Sequence, residues 1–369
     1  FGKFIGRIEM DAISYQEEAT RTVRINWENP HGPDIAILGA IGELGSIASV
    51  LKKQQRDQKA YADFELHLKE EIGDILWYVT TIASRLNIPI LAWPAADIKE
   101  NINRFDVVYS LMEQIQHLKN QKELLISQLN SPCEIEHVIT NILTDLQKLS
   151  ISVNTELERV AFENITKTLG YWGEMSMPAR EFDKGYPFYE KLPRQFEIEF
   201  LTVEGGKSSI MRMNGVQLGD RLTDNSYYND GYRFHDIFHI AGAGLLGWSP
   251  VFRRLLKAKR KSNPQVDEVE DGARAAIVEE AVINYIYDYA QPHFLKDVKW
   301  VDIGVIKQII RLVRGLEVKD CEPWEWRYCI LESYRIFREL TEKNEGILKV
   351  NAQDRTLTLL PLEANRLNL

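Results

Sequence analysis

The stretch "LKEEIGDILWYV", residues 68–79, decides how the first half of the chain is read. At helical spacing Glu71 and Asp74 share one face, while Ile72, Ile75, Leu76 and Val79 form a side that has to be buried. Carboxylates one turn apart beside a core repel each other and resist desolvation, so something must offset their cost. Upstream, "LGAIGELGSIASVLKK" (38–53) carries Glu43 on a second helix with an apolar face. If the two helices lie antiparallel, Glu43, Glu71 and Asp74 converge, and ligands that are all oxygen favour Mg²⁺ or Mn²⁺ over zinc. The competing reading leaves the same acids as a solvated helix face.

Outward from this stretch, helical periodicity runs from residue 11 to 170 without a strand signal, with Ser14 expected to cap the first helix. The texture changes at "YWGEMSMPAREFDKGYPFYEKLPR", 171–194, whose Gly, Pro and aromatic content reads as a linker or an irregular cap. Residues 195–222 alternate apolar and polar around Gly205-Gly206 and Asn214-Gly215, the signature of β-hairpins. Helical patterning returns from about 230 to 345. The expected fold is mainly α: a helical bundle over 1–170, then a mostly helical α+β domain over 195–369 with a small β-hairpin element. A shift of 63 residues places Leu86, Ile88, Glu100, Asn101 and Ile102 over Leu149, Ile151, Glu163, Asn164 and Ile165, so the bundle reads as two half-repeats, 11–105 and 106–170. The same shift sets Glu71 over Glu134 and Asp74 over His137, so a second copy would have lost its acidic pattern.

With 44% apolar and 27% charged residues, the chain has an ordinary globular composition. A net charge of −9 argues against a general nucleic-acid or membrane-surface binder. Cys133, Cys321 and Cys329 are too few and too scattered for a disulfide framework or zinc knuckle, which suits a reducing cytoplasm. Neither a membrane span nor a leader segment is expected from the apolar runs.

The order of "YQEEATRT", "LGAIGELGSI", "KEEIGDILWYVTTIASRLNI" and "ENINR" resembles the MazG-like nucleotide pyrophosphohydrolases, part of the all-helical dUTPase-like superfamily. Those proteins carry paired ExxE and ExxD motifs on adjacent helices. Glu71 and Asp74 match the second motif, with the Leu-Trp-Tyr run behind them, and Glu43 matches the first acid of the other. Ser46 stands where its second acid belongs. A family Asn and basic residue one turn apart look like Asn101 and Arg104, or like Asn164 and Lys167 of the second copy. The resemblance implies Mg²⁺-dependent cleavage of a nucleoside triphosphate to monophosphate and pyrophosphate. Glu43, Glu71 and Asp74 would hold the metal, with Glu70 a further catalytic acid that substitutes for the missing one. Lys52, Lys53, Asn101 and Arg104 would meet substrate. Pairing into a homo-oligomer is expected on the same basis.

A second constellation lies in "YRFHDIFHIAGAGLLGW", where His235 and His239 stand four apart with Asp236 between them. Glu279 and Glu280 follow in the middle of another apolar helix. Two imidazoles with a carboxylate suit Zn²⁺, Mn²⁺ or Fe²⁺. Histidines bonded to neighbouring helices, with the glutamates paired to Arg274 or Arg233, would explain the same pattern. Six of the nine residues 253–261 are basic. They read either as a solvated helix end or as a phosphate-binding rim of Arg253, Arg254, Lys257, Arg260 and Lys261. Residues 225–290 look like the C-terminal extension of some MazG-like proteins. Trp324, Trp326 and Tyr334 read as core or subunit packing.

Three functions follow, in order of preference. The first is a cytoplasmic Mg²⁺-dependent nucleotide pyrophosphohydrolase. The second is a metal-dependent hydrolase centred on His235, His239 and Glu279 or Glu280. The third is a nucleotide-sensing module without turnover.

Overall fold

The computed structural model describes residues 10–95, 102–120, 122, 125, 133–173 and 178–362 of the 369. The chain is mainly α-helical with a small antiparallel sheet, and it divides into two compact units, Phe1–Trp172 and Gly173–Leu369.

The first unit is a helical bundle: α1 (Ala12–Thr22), α2 (Gly32–Asp57), α3 (Phe64–Arg85), α4 (Arg104–Asn120), α5 (Cys133–Ile151) and α6 (Leu157–Trp172). Its core is drawn from apolar stripes at i, i+3 and i+4 spacing. In α3 the stripe is Leu68, Ile72, Ile75, Leu76 and Val79, all buried, as the periodicity requires. In α2 it is Ala36, Ile37, Ala40, Leu44, Ile47 and Leu51. By length and composition α2 is long and apolar enough to cross a membrane, against the expectation of no such run. Its buried stripe within the bundle accounts for much of that apolar content. The cap of α1 is Asp11 rather than Ser14: Asp11 Oδ1 accepts the Ser14 N–H at 2.9 Å, and the Ser14 hydroxyl donates to Asp11 Oδ2. The first backbone N–H of α6, on Leu157, donates to the buried Gln147 side chain of α5 at 2.7 Å, which ties the turn between these helices.

The second unit holds five antiparallel strands in the order β3-β2-β1-β4-β5. They are β1 (Gln195–Val203), β2 (Ser208–Met213), β3 (Val216–Leu222), β4 (Gly346–Asn351) and β5 (Thr356–Leu360). Both expected turns are present: Asn214 and Gly215 have φ of 52° and 78°, and Gly205 and Gly206 also take positive φ. The sheet exceeds the expected hairpin element because β4 and β5 add a further hairpin on the far side of β1 from the β1-β2-β3 meander. Phe196, Ile198 and Phe200 of β1 are buried and lie opposite Val350, Leu348 and Gly346 of β4. Between the two hairpins run α7 (Asp236–Ala241), α8 (Pro250–Leu255), α9 (Pro264–Val269), α10 (Ala273–Ala290), α11 (Ile303–Val313) and α12 (Pro323–Lys343). A π-helical turn, Gly242–Leu246, continues α7. Gly244 lets that turn approach the sheet, since a Cβ there would lie 2.4 Å from Val350 Cγ1. Trp324, Trp326 and Tyr334 of α12 are core residues, and Phe238 of α7 stacks on Phe337 and packs on Tyr334.

The described part of the expected linker, 178–194, is instead built into this unit. Arg180 pairs with Glu325 at 3.0 Å, Asp183 is buried against Arg253, and Glu190 accepts the Ser262 N–H. Three polar side chains seeking buried partners make this segment a cap rather than a tether.

Candidate functional sites

Two helices bring the acids of the first unit together. Gly39 of α2 makes the approach possible, because a Cβ there would fall 2.2 Å from the Tyr78 ring of α3. Ligand oxygens of Glu43, Glu71 and Asp74 all lie within 4.8 Å of one another, and each residue is half-buried. A second close approach fixes the far wall. A Cβ on Gly73 would lie 2.9 Å from Asn164 Cβ, so the glycine lets α6 pack directly beside Asp74. Asn164 Nδ2 then donates to Asp74 Oδ1 at 2.9 Å, and Lys167 Nζ reaches the same oxygen at 2.5 Å. Lys167 Nζ also stands 3.6 Å from Glu70 Oε1. Asn164 is held in turn by the buried Tyr15 hydroxyl, which donates to its Oδ1 at 2.9 Å. Burial, with the Asp74 charge added, pushes the Tyr15 phenol well up, and burial with Glu43 and Asp74 does the same to Tyr78. Both phenols therefore stay protonated donors at neutral pH.

Ser46 lies one turn beyond Glu43 on α2, partly buried, so that the helix offers one acid where two were expected. Arg104 is not a substrate residue in this arrangement. Its guanidinium donates to Ser152 Oγ at 2.9 Å and to the Ser152 carbonyl, and lies over the Phe64 ring, which turns it to the start of α3 and the α5-α6 turn. Asn101 lies outside the described residues. The Asn and Lys beside the acids are Asn164 and Lys167, the alternative drawn from the second half-repeat. Lys52 and Lys53 are exposed more than two turns along α2 from Glu43, too far to share its site. Tyr15 and Tyr78 were not anticipated, although Tyr15 opens the quoted "YQEEATRT" and Tyr78 sits inside the opening stretch.

In the second unit His235, His239 and Glu280 place one ligand atom each within 4.8 Å of the others. His239 is 1% exposed. Its Nδ1 bonds Glu279 Oε1 at 2.8 Å, and Glu280 Oε1 stands 3.4 Å from its Nε2. Glu279 is held by three groups, because its carboxylate also accepts the Ser249 hydroxyl at 2.6 Å and the Val251 N–H at 2.8 Å. Burial opposes a charge on His239, but the Glu279 and Glu280 carboxylates outweigh it and raise its pKa to about 10. His235 bonds the Tyr232 carbonyl through Nδ1 at 2.9 Å and stacks on the Tyr232 ring. Asp236 Oδ1 is 3.9 Å from His235 Nε2, and burial pushes the Asp236 carboxyl up. Arg233, one of the expected alternative partners of the glutamates, pairs instead with Asp224.

The basic stretch does not form the expected rim. Arg253, 1% exposed, donates to Asp183 Oδ2 at 2.7 Å and to the carbonyls of Glu190 and Ala258. Arg260, equally buried, grips Asp271 and Glu317 with paired contacts of 2.7 Å. These guanidiniums are spent on carboxylates of the same unit, which a phosphate would have to displace. Arg254, Lys257 and Lys261 are exposed.

A family model described as the MazG C-terminal domain matches residues 177–363, just over half of the chain. The Gene 37 protein of Mycobacterium phage L5 is 32% identical over 75 residues, which cover 20% of this chain and 62% of that protein. The chain thus spans less than two thirds of this relative's length. No solved structure matches. The match also begins at the polar cap and ends just past β5, taking in nearly all of the described second unit, and the chain belongs to the MazG C-terminal domain family as a MazG-like protein.

Proposed function

We propose that the chain is a Mg²⁺-dependent nucleotide pyrophosphohydrolase that cleaves an NTP or dNTP to monophosphate and pyrophosphate. The observation that carries this reading is the convergence of Glu43, Glu71 and Asp74 from two helices, with Asn164 and Lys167 on the adjoining wall. A donor set of carboxylate oxygens suits a hard cation, and the separations are close enough for one ion to draw them together. Bound there, Mg²⁺ would neutralise and polarise the phosphate oxygens. Tyr15 orients Asn164, and Asn164 orients Asp74. Lys167, on a flexible four-carbon stem, holds the acid pair and can turn its ammonium to an incoming phosphate. Glu70, on the Lys167 side, would accept a proton from an attacking water. Membership of a MazG family supports a nucleotide-directed role. Exposed Leu38 on α2 and Tyr109 and Met112 on α4 support the expected pairing of two copies.

The test is a nucleotide panel with Mg²⁺ or Mn²⁺ on the full chain, reading pyrophosphate release in wild type and Glu71→Gln. Loss of about 10²-fold or more in the variant is expected, the scale for removing a group that stabilises developing charge. Undiminished turnover would remove the assignment. Ser46 favours a second reading, nucleotide binding without turnover. Calorimetric binding by wild type with no product would support that one instead.

A further inference from the structure

We propose that the second unit carries a mononuclear site for a divalent transition-metal ion, ligated by Nε2 of His235, Nε2 of His239 and the carboxylate of Glu280. The inference is independent of the nucleotide site. It starts from the tautomers. Both imidazoles have Nδ1 committed to an oxygen acceptor, His235 to the Tyr232 carbonyl and His239 to Glu279. A ring that donates through Nδ1 presents a lone pair at Nε2 in its neutral form. His239 Nε2 stands 3.4 Å from Glu280 Oε1 and His235 Nε2 3.9 Å from Asp236 Oδ1, and one ligand atom each of His235, His239 and Glu280 lies within 4.8 Å of the others. Lone pairs and carboxylates turned to one point are stabilised by a cation between them, a proton on His239 or a metal ion that displaces it.

A second observation singles out the same point. His239 Nε2 is buried and, among the described residues, makes no close hydrogen bond, its nearest acceptor being Glu280 Oε1 at 3.4 Å. A buried polar nitrogen with only a long contact to an acceptor costs free energy, so a native fold rarely keeps one without a use. Coordination would satisfy it. The surrounding shell is already built. Glu279 is pinned by Ser249 and Val251 before it meets His239, and stacking on Tyr232 sets the plane of His235. A carboxylate behind a ligating histidine is the usual way that such rings are oriented and made more basic. Two imidazoles and a carboxylate select the zinc, iron(II) and manganese class over Mg²⁺ or Ca²⁺. The Glu280 side chain is 47% exposed, so the ion would be reached from that side and would retain positions for water or a substrate oxygen. Glu279 acts here as a positioning residue.

The experiment uses the full chain, stripped with chelator and dialysed separately against micromolar Zn²⁺, Mn²⁺ or Fe²⁺ with excess Mg²⁺, with bound metal counted by mass spectrometry. One equivalent of at least one of these ions is expected in wild type and in Glu71→Gln, and loss in His235→Ala and in Glu280→Gln. Glu280 is half exposed, so its variant tests the site without threatening the fold. Glu279→Gln should weaken binding by about 10-fold to 100-fold, the range for groups that orient ligands. A Co²⁺-loaded sample gives a visible absorption band that should vanish in His239→Ala. Failure of wild type to retain any of the three ions, or equal retention by Glu280→Gln and His235→Ala, would overturn the proposal.

Discussion

Replacing Arg253 by Met should unfold the second unit's centre without touching its surface. Around this residue Asp183, Asp271 and Glu317 meet Arg194, Arg253 and Arg260, three carboxylates against three guanidiniums. Arg253→Met keeps the apolar stem but leaves Asp183 and Asp271 one positive charge short. It also strips a donor from the Glu190 and Ala258 carbonyls. Breaking a buried pair by removing one partner costs about 3–5 kcal/mol. With about 2–3 kcal/mol per molar for a domain this size, the urea midpoint should fall by about 1–2 M. Hydrogen exchange read peptide by peptide along urea assigns the loss to β1, α8 and their neighbours in the intact chain. Arg254→Met, one residue on and exposed, should stay within about 0.5 kcal/mol of wild type. The effect has a pH signature. Burial by itself would raise the Asp183 carboxyl, but the Leu192 N–H and Arg253 outweigh it and hold it below the ordinary range. Its folded pKa is thus lower than its unfolded one, so this stabilisation is present above the unfolded value and is lost as pH falls through the folded one. Without Arg253 acid unfolding should begin at higher pH. A midpoint within about 1 kcal/mol of wild type, paired with weaker nucleotide binding, would refute the network and restore the phosphate-binding role.

Gly73→Ala should separate α6 from α3, because the new methyl would meet the Cβ of Asn164 rather than the end of a flexible chain. The cost in stability should be about 1–3 kcal/mol, while pyrophosphate release should drop about 10²-fold through misplaced Asn164 and Lys167. Ser46→Glu restores an acid one turn from Glu43, and the Mg²⁺ concentration for half-maximal pyrophosphate release should fall; a rise would mean that the serine is part of a retuned site.

The parts of the fold that depend on local pattern were legible. The α3 stripe and the Asn-Gly turn between β2 and β3 follow from spacing and turn chemistry alone. The acidic trio was legible because a desolvation cost is visible in a sequence even when its compensation is not. What was missed depends on residues far apart in the chain. Asn164 reaches Asp74 across 90 residues and Arg253 reaches Asp183 across 70. Arg253 and Arg254 look alike in sequence, and only the helix's rotation against the polar cap buries one and exposes the other. The strands β4 and β5 are short, and β4 alternates weakly, so pairing of β4 with β1 and of β5 with β4 supplies what a brief run of pattern cannot.

The half-repeat reading takes a different meaning once the contacts are known. Glu134 and His137, which the 63-residue shift sets over Glu71 and Asp74, are exposed. The second half therefore carries no acidic site at that position. It contributes instead the groups that an acidic site lacks: an amide fixed by Tyr15 and an ammonium between Asp74 and Glu70. Carboxylates no more than 4.8 Å apart repel by about 3 kcal/mol or more per pair at an effective dielectric near 20. Lys167 offsets part of that through its pairing with Glu70 and Asp74. A divalent ion held there, as proposed, would offset more of it, so the proposed site couples the stability of this bundle to ion binding, and Lys167 is the group that would turn to a polyanion arriving with the ion.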